Sequence, residues 1–162
     1  MKDIATIDGA EDATGLKVGI VVSVYHESVT ESLRRGAIDA LVNAGAVSDE
    51  IVIIRVPGAF EVPLAARKAA ESGKFDALVC VGCIIRGDTP HFDYLAAAVT
   101  NGISLAAQET GVPIAFGVLT TNTHEEAVER AGIGNDNKGW EAAMAAVQLA
   151  NILQGLTRHN DR

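Results

Sequence analysis

Four runs of β-branched and aliphatic residues, each followed by a stretch with helical spacing, constrain this chain more than anything else in it. Lys17 to Tyr25 (KVGIVVSVY), Ile51 to Val56, Phe75 to Ile85 and Pro113 to Leu119 are dominated by apolar residues. A strand wetted on one face alternates apolar with polar residues, so the unbroken run from Lys17 to Tyr25 signals burial on both faces. After the first run, Ser28 and Glu31 have the spacing of a capping box. Val29, Leu33, Ala37, Ala40, Leu41 and Ala44 then recur at helical intervals, closed by Gly45. Further helices are expected at about 61–72, with Pro63 tolerated in the first turn, at 93–110, and at 123–131, opened by a second capping box of Thr123 and Glu126. A last helix is expected at 138–154. This order predicts a single α/β domain: a four-stranded parallel sheet in a three-layer α/β/α arrangement with right-handed crossovers.

The 162 residues suit one domain. Residues 16–155 form it in this reading, with residues 1–15 a polar N-terminal arm and residues 156–162 a loose polar tail. Aromatic residues are only 4%, so the core must be built from Val, Ile, Leu and Ala. Lys and Arg total 13 against 21 acidic residues, a net charge of −8, which disfavours nucleic acid as a partner. No apolar run approaches the roughly 20 residues of a membrane span, and the acidic N-terminus does not read as a signal peptide. Two cysteines give no disulfide framework. A cytoplasmic protein that binds no membrane is the expectation.

Parallel sheets bind ligands beyond the carboxyl ends of their strands, which narrows the search to four segments. Tyr25, His26 and Glu27 follow the first strand, Pro57 to Glu61 the second, Arg86 to His91 the third, and Thr120 to Thr123 the fourth. Gly58-Ala59-Phe60 before a helix offers N–H groups to a carbonyl or anion, although an ordinary turn looks the same. Gly87-Asp88-Thr89 could cradle a phosphate, or be a plain surface loop. His91 can move protons near neutrality, or hydrogen-bond to Asp93. Arg130 is a candidate anion ligand whose bland alternative is an i,i+4 ion pair with Glu126. Lys138 opens a helix, where the dipole does not favour a cation; that mismatch suits a ligand or subunit contact.

Two apparent motifs carry no chemistry. Cys80 and Cys83 have C-x-x-C spacing, but along a strand they lie about 10 Å apart and face opposite sides. Gly132-Ile133-Gly134 follows a helix rather than a strand, unlike a dinucleotide loop. His26, His91 and His124 fall in separate loops with no close metal-ligand pair, so no metal is expected.

Taken together, GAFEVP (58–63), GCIIRGDTPHFDY (82–94), GVPIAFGVLTT (111–121), EEAVERAG (125–132) and NKG (137–139) make a specific series. With these blocks the chain resembles the 6,7-dimethyl-8-ribityllumazine synthase family from about residue 15 to residue 153. The resemblance implies a flavodoxin-like sheet, a transferase of riboflavin synthesis without metal or organic cofactor, and sites at the interfaces of a pentamer. The implied reaction joins 5-amino-6-(D-ribitylamino)uracil to 3,4-dihydroxy-2-butanone 4-phosphate. By position, Tyr25 matches the aromatic that stacks on the pyrimidine. Ala59, Phe60 and Glu61 match the lining of the ribityl and pyrimidine pocket, with Glu61 on the ribityl hydroxyls. Cys83, Ile84 and Ile85 match the strand end whose backbone meets the ring, Gly87, Asp88 and Thr89 the phosphate loop, and His91 the proton-transfer histidine. Phe116, Arg130 and Lys138 match residues supplied by the neighbouring subunit, Arg130 to the phosphate and Lys138 near the ribityl chain.

The chain departs from the family pattern at His26, where Asn is frequent, and at Ile133 to Asp136, where many members carry a Thr-Lys-rich loop. That loop has no insertion, which favours closure of pentamers into a shell of roughly sixty subunits, with the free pentamer next. Riboflavin synthase is the expected partner enzyme. A flavin carrier on the same scaffold would need the aromatic and the phosphate loop but not His91. A shell protein without catalysis would not need His91, Arg130 and Lys138 together. A receiver domain would need acidic residues after the first strand, where only Glu27 stands.

Overall fold

The structure, a computed structural model, describes residues 3–160. Four strands, β1 (Val18–Ser23), β2 (Ile51–Val56), β3 (Ala77–Ile85) and β4 (Ile114–Thr121), form one sheet in the order β2-β1-β3-β4, every pair parallel. Five helices connect and cover it: α1 (Glu27–Asn43), α2 (Val62–Glu71), α3 (His91–Thr110), α4 (His124–Arg130) and α5 (Lys138–Asn160). β1 is buried along its whole length, as its unbroken apolar run requires. Val18, Ile20, Val22, Val79, Val81 and Cys83 pack under α1 and α5 with Leu33, Ala37, Ala143 and Val147. Val21, Cys80 and Ile84 pack under α2 and α3 with Val62, Ala66, Val99 and Ile103. This is the three-layer, flavodoxin-like architecture. The two cysteines lie on opposite faces, both buried and both free.

Several boundaries differ from expectation for local reasons. The capping box of Ser28 and Glu31 does not form: α1 starts at Glu27, behind His26 in the left-handed region (φ 61°, ψ 50°), with no side-chain cap. Ser28 is already helical, its carbonyl accepting from the Ser32 hydroxyl, and Glu31 pairs with Arg34 and Arg55. The second box forms by half: Thr123 Oγ1 accepts from the Glu126 N–H at 3.1 Å, but the Glu126 carboxylate takes the N–H of Asn122, one residue before the cap position, at 2.9 Å. α3 begins two residues early, because Pro90 (φ −66°) is preset for a first turn and its carbonyl accepts from Asp93 and Tyr94.

The ends of the chain are tied down more than their composition suggests. Ala13 is fully buried and its N–H donates to Ala44 O at 2.8 Å. Asn151 on α5 donates to the carbonyls of Ala10 and Asp12, and Gln148 to Glu11. α5 continues through Gly155, where Ile7 of the arm lies close by, so residues 156–160 are helical rather than a loose tail. Met1, Lys2, Asp161 and Arg162 lie outside the described residues.

Candidate active site

The carboxyl ends of β1, β2 and β3 open on a cleft of about 740 Å³. Backbone bonds continue the sheet ladder past the strand ends and set its walls: Val24 N donates to Val56 O, Tyr25 N to Pro57 O and Arg86 N to Thr121 O. Tyr25 therefore stands beside the Gly58–Glu61 turn, and the Arg86–Pro90 loop rises from the sheet next to them. The cleft is lined by Tyr25, Ala59, Phe60, Glu61, Cys83, Ile84, Ile85, Gly87, Thr89 and His91. Of the candidates assigned to this end of the sheet, only Asp88 does not line it. Tyr25 and Phe60 are about two-thirds exposed, an arrangement of large apolar rings that leaves a flat apolar surface free for a planar ligand.

Phe116, Arg130 and Lys138 are elsewhere. They line a second cleft of about 340 Å³ between the outer edge strand β4 and the start of α5. The ion pair expected between Glu126 and Arg130 is not made. The Glu126 carboxylate is turned to the Asn122 N–H, and Arg130 Nη1 donates instead to the Glu126 carbonyl at 3.1 Å. Lys138 is paired within its own helix, with Glu141 Oε2 at 2.8 Å, which offsets the unfavourable dipole at the N-terminus of α5. Asn137, just before it, is buried and joins α1, the Gly132 loop and α5 through one side chain.

His26 and Arg86, named in sequence only as members of the segments after β1 and β3, also line the first cleft, together with Phe92 and Leu95, which had been given no role. Phe92 and Leu95 follow His91 on α3, so their placement came with the earlier start of that helix. The His26 ring meets Tyr25 edge-on, centroids 4.6 Å apart. Burial, and then the charge of His124, hold the His26 imidazole below its ordinary pKa. No group of three metal-ligating side chains exists among the described residues. Burial pushes the thiol of Cys83 up to about 11 and that of Cys80 up to about 12, so neither is a ready nucleophile near neutrality.

A cleft at the switch point of a parallel sheet, with an aromatic wall, a turn rich in backbone groups and a histidine at a helix start, defines an enzyme of small planar and polar substrates. Its second group of cationic and aromatic residues faces away on the same chain. The sequence matches the 6,7-dimethyl-8-ribityllumazine synthase family model over residues 15–154, and the chain belongs to that family. Membership implies lumazine synthase activity, a transferase step of riboflavin biosynthesis. No helix among the described residues is long and apolar enough to cross a membrane.

Proposed function

We propose that this chain condenses 5-amino-6-(D-ribitylamino)uracil with 3,4-dihydroxy-2-butanone 4-phosphate, giving 6,7-dimethyl-8-ribityllumazine, phosphate and water. The observation that carries this reading is the first cleft, which gathers Tyr25, the 59–61 turn, the 83–85 strand end, Gly87, Thr89 and His91 around one volume. Tyr25 stacks on the uracil, backbone groups of 83–85 read its amide edge, and Glu61 accepts from ribityl hydroxyls. Gly87, Asp88 and Thr89 give the phosphate loop, Asp88 through its backbone with the carboxylate turned away.

The 5-amino group attacks the ketone and water leaves as the imine forms. His91 takes a proton from carbon as phosphate departs with the bonding pair, and returns it as the enol tautomerises. The ribitylamino nitrogen then closes the ring on the second carbonyl and a further water is lost. Holding two small reactants together supplies much of the rate, up to about 7–11 kcal/mol in favourable systems.

Phe116, Arg130 and Lys138 lie in a separate cleft of the same chain, which supports a site completed by a neighbouring copy. That copy brings Arg130 to the phosphate with a charge-assisted grip, Lys138 to the ribityl chain and Phe116 to the wall. A closed ring of five copies, working in the cytoplasm and built further into a shell, is the assembly this reading takes. The product is the substrate class consumed by riboflavin synthase. The test is incubation of purified protein with both substrates, reading lumazine fluorescence and phosphate release together. Both should appear in equal amounts, and their absence rejects the reading.

A further inference from the structure

We infer that Arg86 is a positioning residue for His91, holding the first turn of α3 from outside the helix. The inference rests on the role just proposed for His91. That turn has no side-chain cap of its own, Pro90 standing at the cap position. Helix starts of this kind leave N–H groups unsatisfied and fray easily. His91 is the first residue of the helix and is exposed, so nothing in its own packing fixes where the imidazole points.

Arg86 reaches this turn at two points. Its guanidinium carbon lies 4.4 Å from the centre of the Phe92 ring, and Nη1 approaches Asp93 Oδ1 at 3.3 Å. On its other side Nε donates to Asn122 Oδ1 at 2.9 Å. The far anchor is itself fixed, because the Asn122 N–H donates to Glu126 Oε2 on α4. The Arg86 backbone is locked too, by its N–H on Thr121 O at 2.9 Å. One planar group thus ties the start of α3 to the end of β4 while lining the cleft that holds His91.

Energy is not what this arrangement supplies. The Arg86 and Asp93 side chains are 45% and 61% exposed, and such pairs contribute little to stability. Geometry is the effect: a ring contact and two in-plane donors are features of a guanidinium that an ammonium cannot reproduce. A displacement of about 1 Å in a reacting group costs on the order of 100-fold in rate.

The experiment is a double-mutant cycle on the assembled protein, with lumazine formation as the readout. Arg86→Ala should lower kcat about 10- to 100-fold, with KM for both substrates nearly unchanged. Arg86→Lys should recover little of it. In a His91→Ala background the same Arg86→Ala change should cost less than about threefold, because the group it positions is gone. Asn122→Ala, which cuts the far anchor at the surface, should repeat part of the kcat loss and supplies the test if Arg86→Ala does not fold. Equal losses from Arg86→Ala with and without His91, or full activity in Arg86→Lys, overturn the inference while leaving the proposed reaction standing. A wild-type protein that forms no lumazine rejects both.

Discussion

Replacing Asn137 by Ala should be among the most damaging single changes outside the hydrophobic core. The side chain is only 2% exposed. Its Nδ2 donates to Ser32 O at 3.0 Å on α1 and to Gly132 O at 2.8 Å. Its Oδ1 accepts from Gly139 N at 2.7 Å and Trp140 N at 3.1 Å, capping the start of α5. The chain is so close here that a Cβ on Gly139 would collide with Leu33 O, and one on Gly36 with Asn137 Oδ1. Loss of a cap costs about 1 kcal/mol, and each buried polar group left without a partner roughly 1–3 kcal/mol. Ser32 O also serves the α1 ladder and Gly132 is only half-buried, so a total of about 2–4 kcal/mol is expected. That corresponds to a fall in Tm of roughly 5–15 °C for a domain of this size. Thermal unfolding at one fixed protein concentration measures it, since assembly makes Tm depend on concentration. Asn137→Asp keeps the cap but sets a carboxylate oxygen against two carbonyls, so it should also lose stability at neutral pH. A change within about 0.5 kcal/mol for Asn137→Ala would refute the view that this side chain fastens α5 to α1.

Arg130→Ala should raise KM for the butanone phosphate much more than KM for the pyrimidine, with little change in Tm, because among the described residues its polar tie is to its own helix carbonyl; equal effects on both substrates would contradict a phosphate role. Cys80 and Cys83 should resist a thiol reagent at pH 8 in the native protein, as burial raises both and leaves little thiolate; rapid labelling would contradict their placement. Because His26 is held below the ordinary imidazole value of about 6.5, the unfolded chain binds a proton that the folded chain resists. Its contribution to stability is therefore complete above that pH and falls away below it. His26→Asn, which tolerates the left-handed backbone, should shrink the loss of Tm between pH 7.5 and 5.5, and an unchanged loss would refute the assignment.

The sheet was legible in the sequence because a parallel strand buried on both faces needs an unbroken apolar run, and β1 and β3 are such runs. The position of the site followed from topology, since ligands gather beyond strand carboxyl ends. What stayed hidden depended on geometry between distant segments. The Ser28–Glu31 spacing fits a capping box, but the ladder carries Tyr25 onto Pro57 and the chain turns through a left-handed His26 instead. The Glu126–Arg130 spacing suits an ion pair, but Asn122 takes the carboxylate. Gly155 reads as a helix end, yet Ile7 from the other end of the chain lies against it. Arg86 was legible as part of the loop after β3, but its contacts were not, because Asp93 and Asn122 lie 7 and 36 residues away and only the fold brings them together.

In the proposed assembly the site is divided between copies, with His91 on one chain and Arg130 on the next. His91→Ala and Arg130→Ala variants can be unfolded, mixed in equal amounts, reassembled and assayed with the butanone phosphate far below the raised KM of Arg130→Ala, where each variant alone is nearly inactive. In a ring of head-to-tail contacts, random mixing restores an intact pair at about a quarter of the interfaces. Lumazine formation near that fraction of the wild-type rate is the predicted result. A mixture no more active than the average of the two variants, each reassembled alone, would contradict the claim.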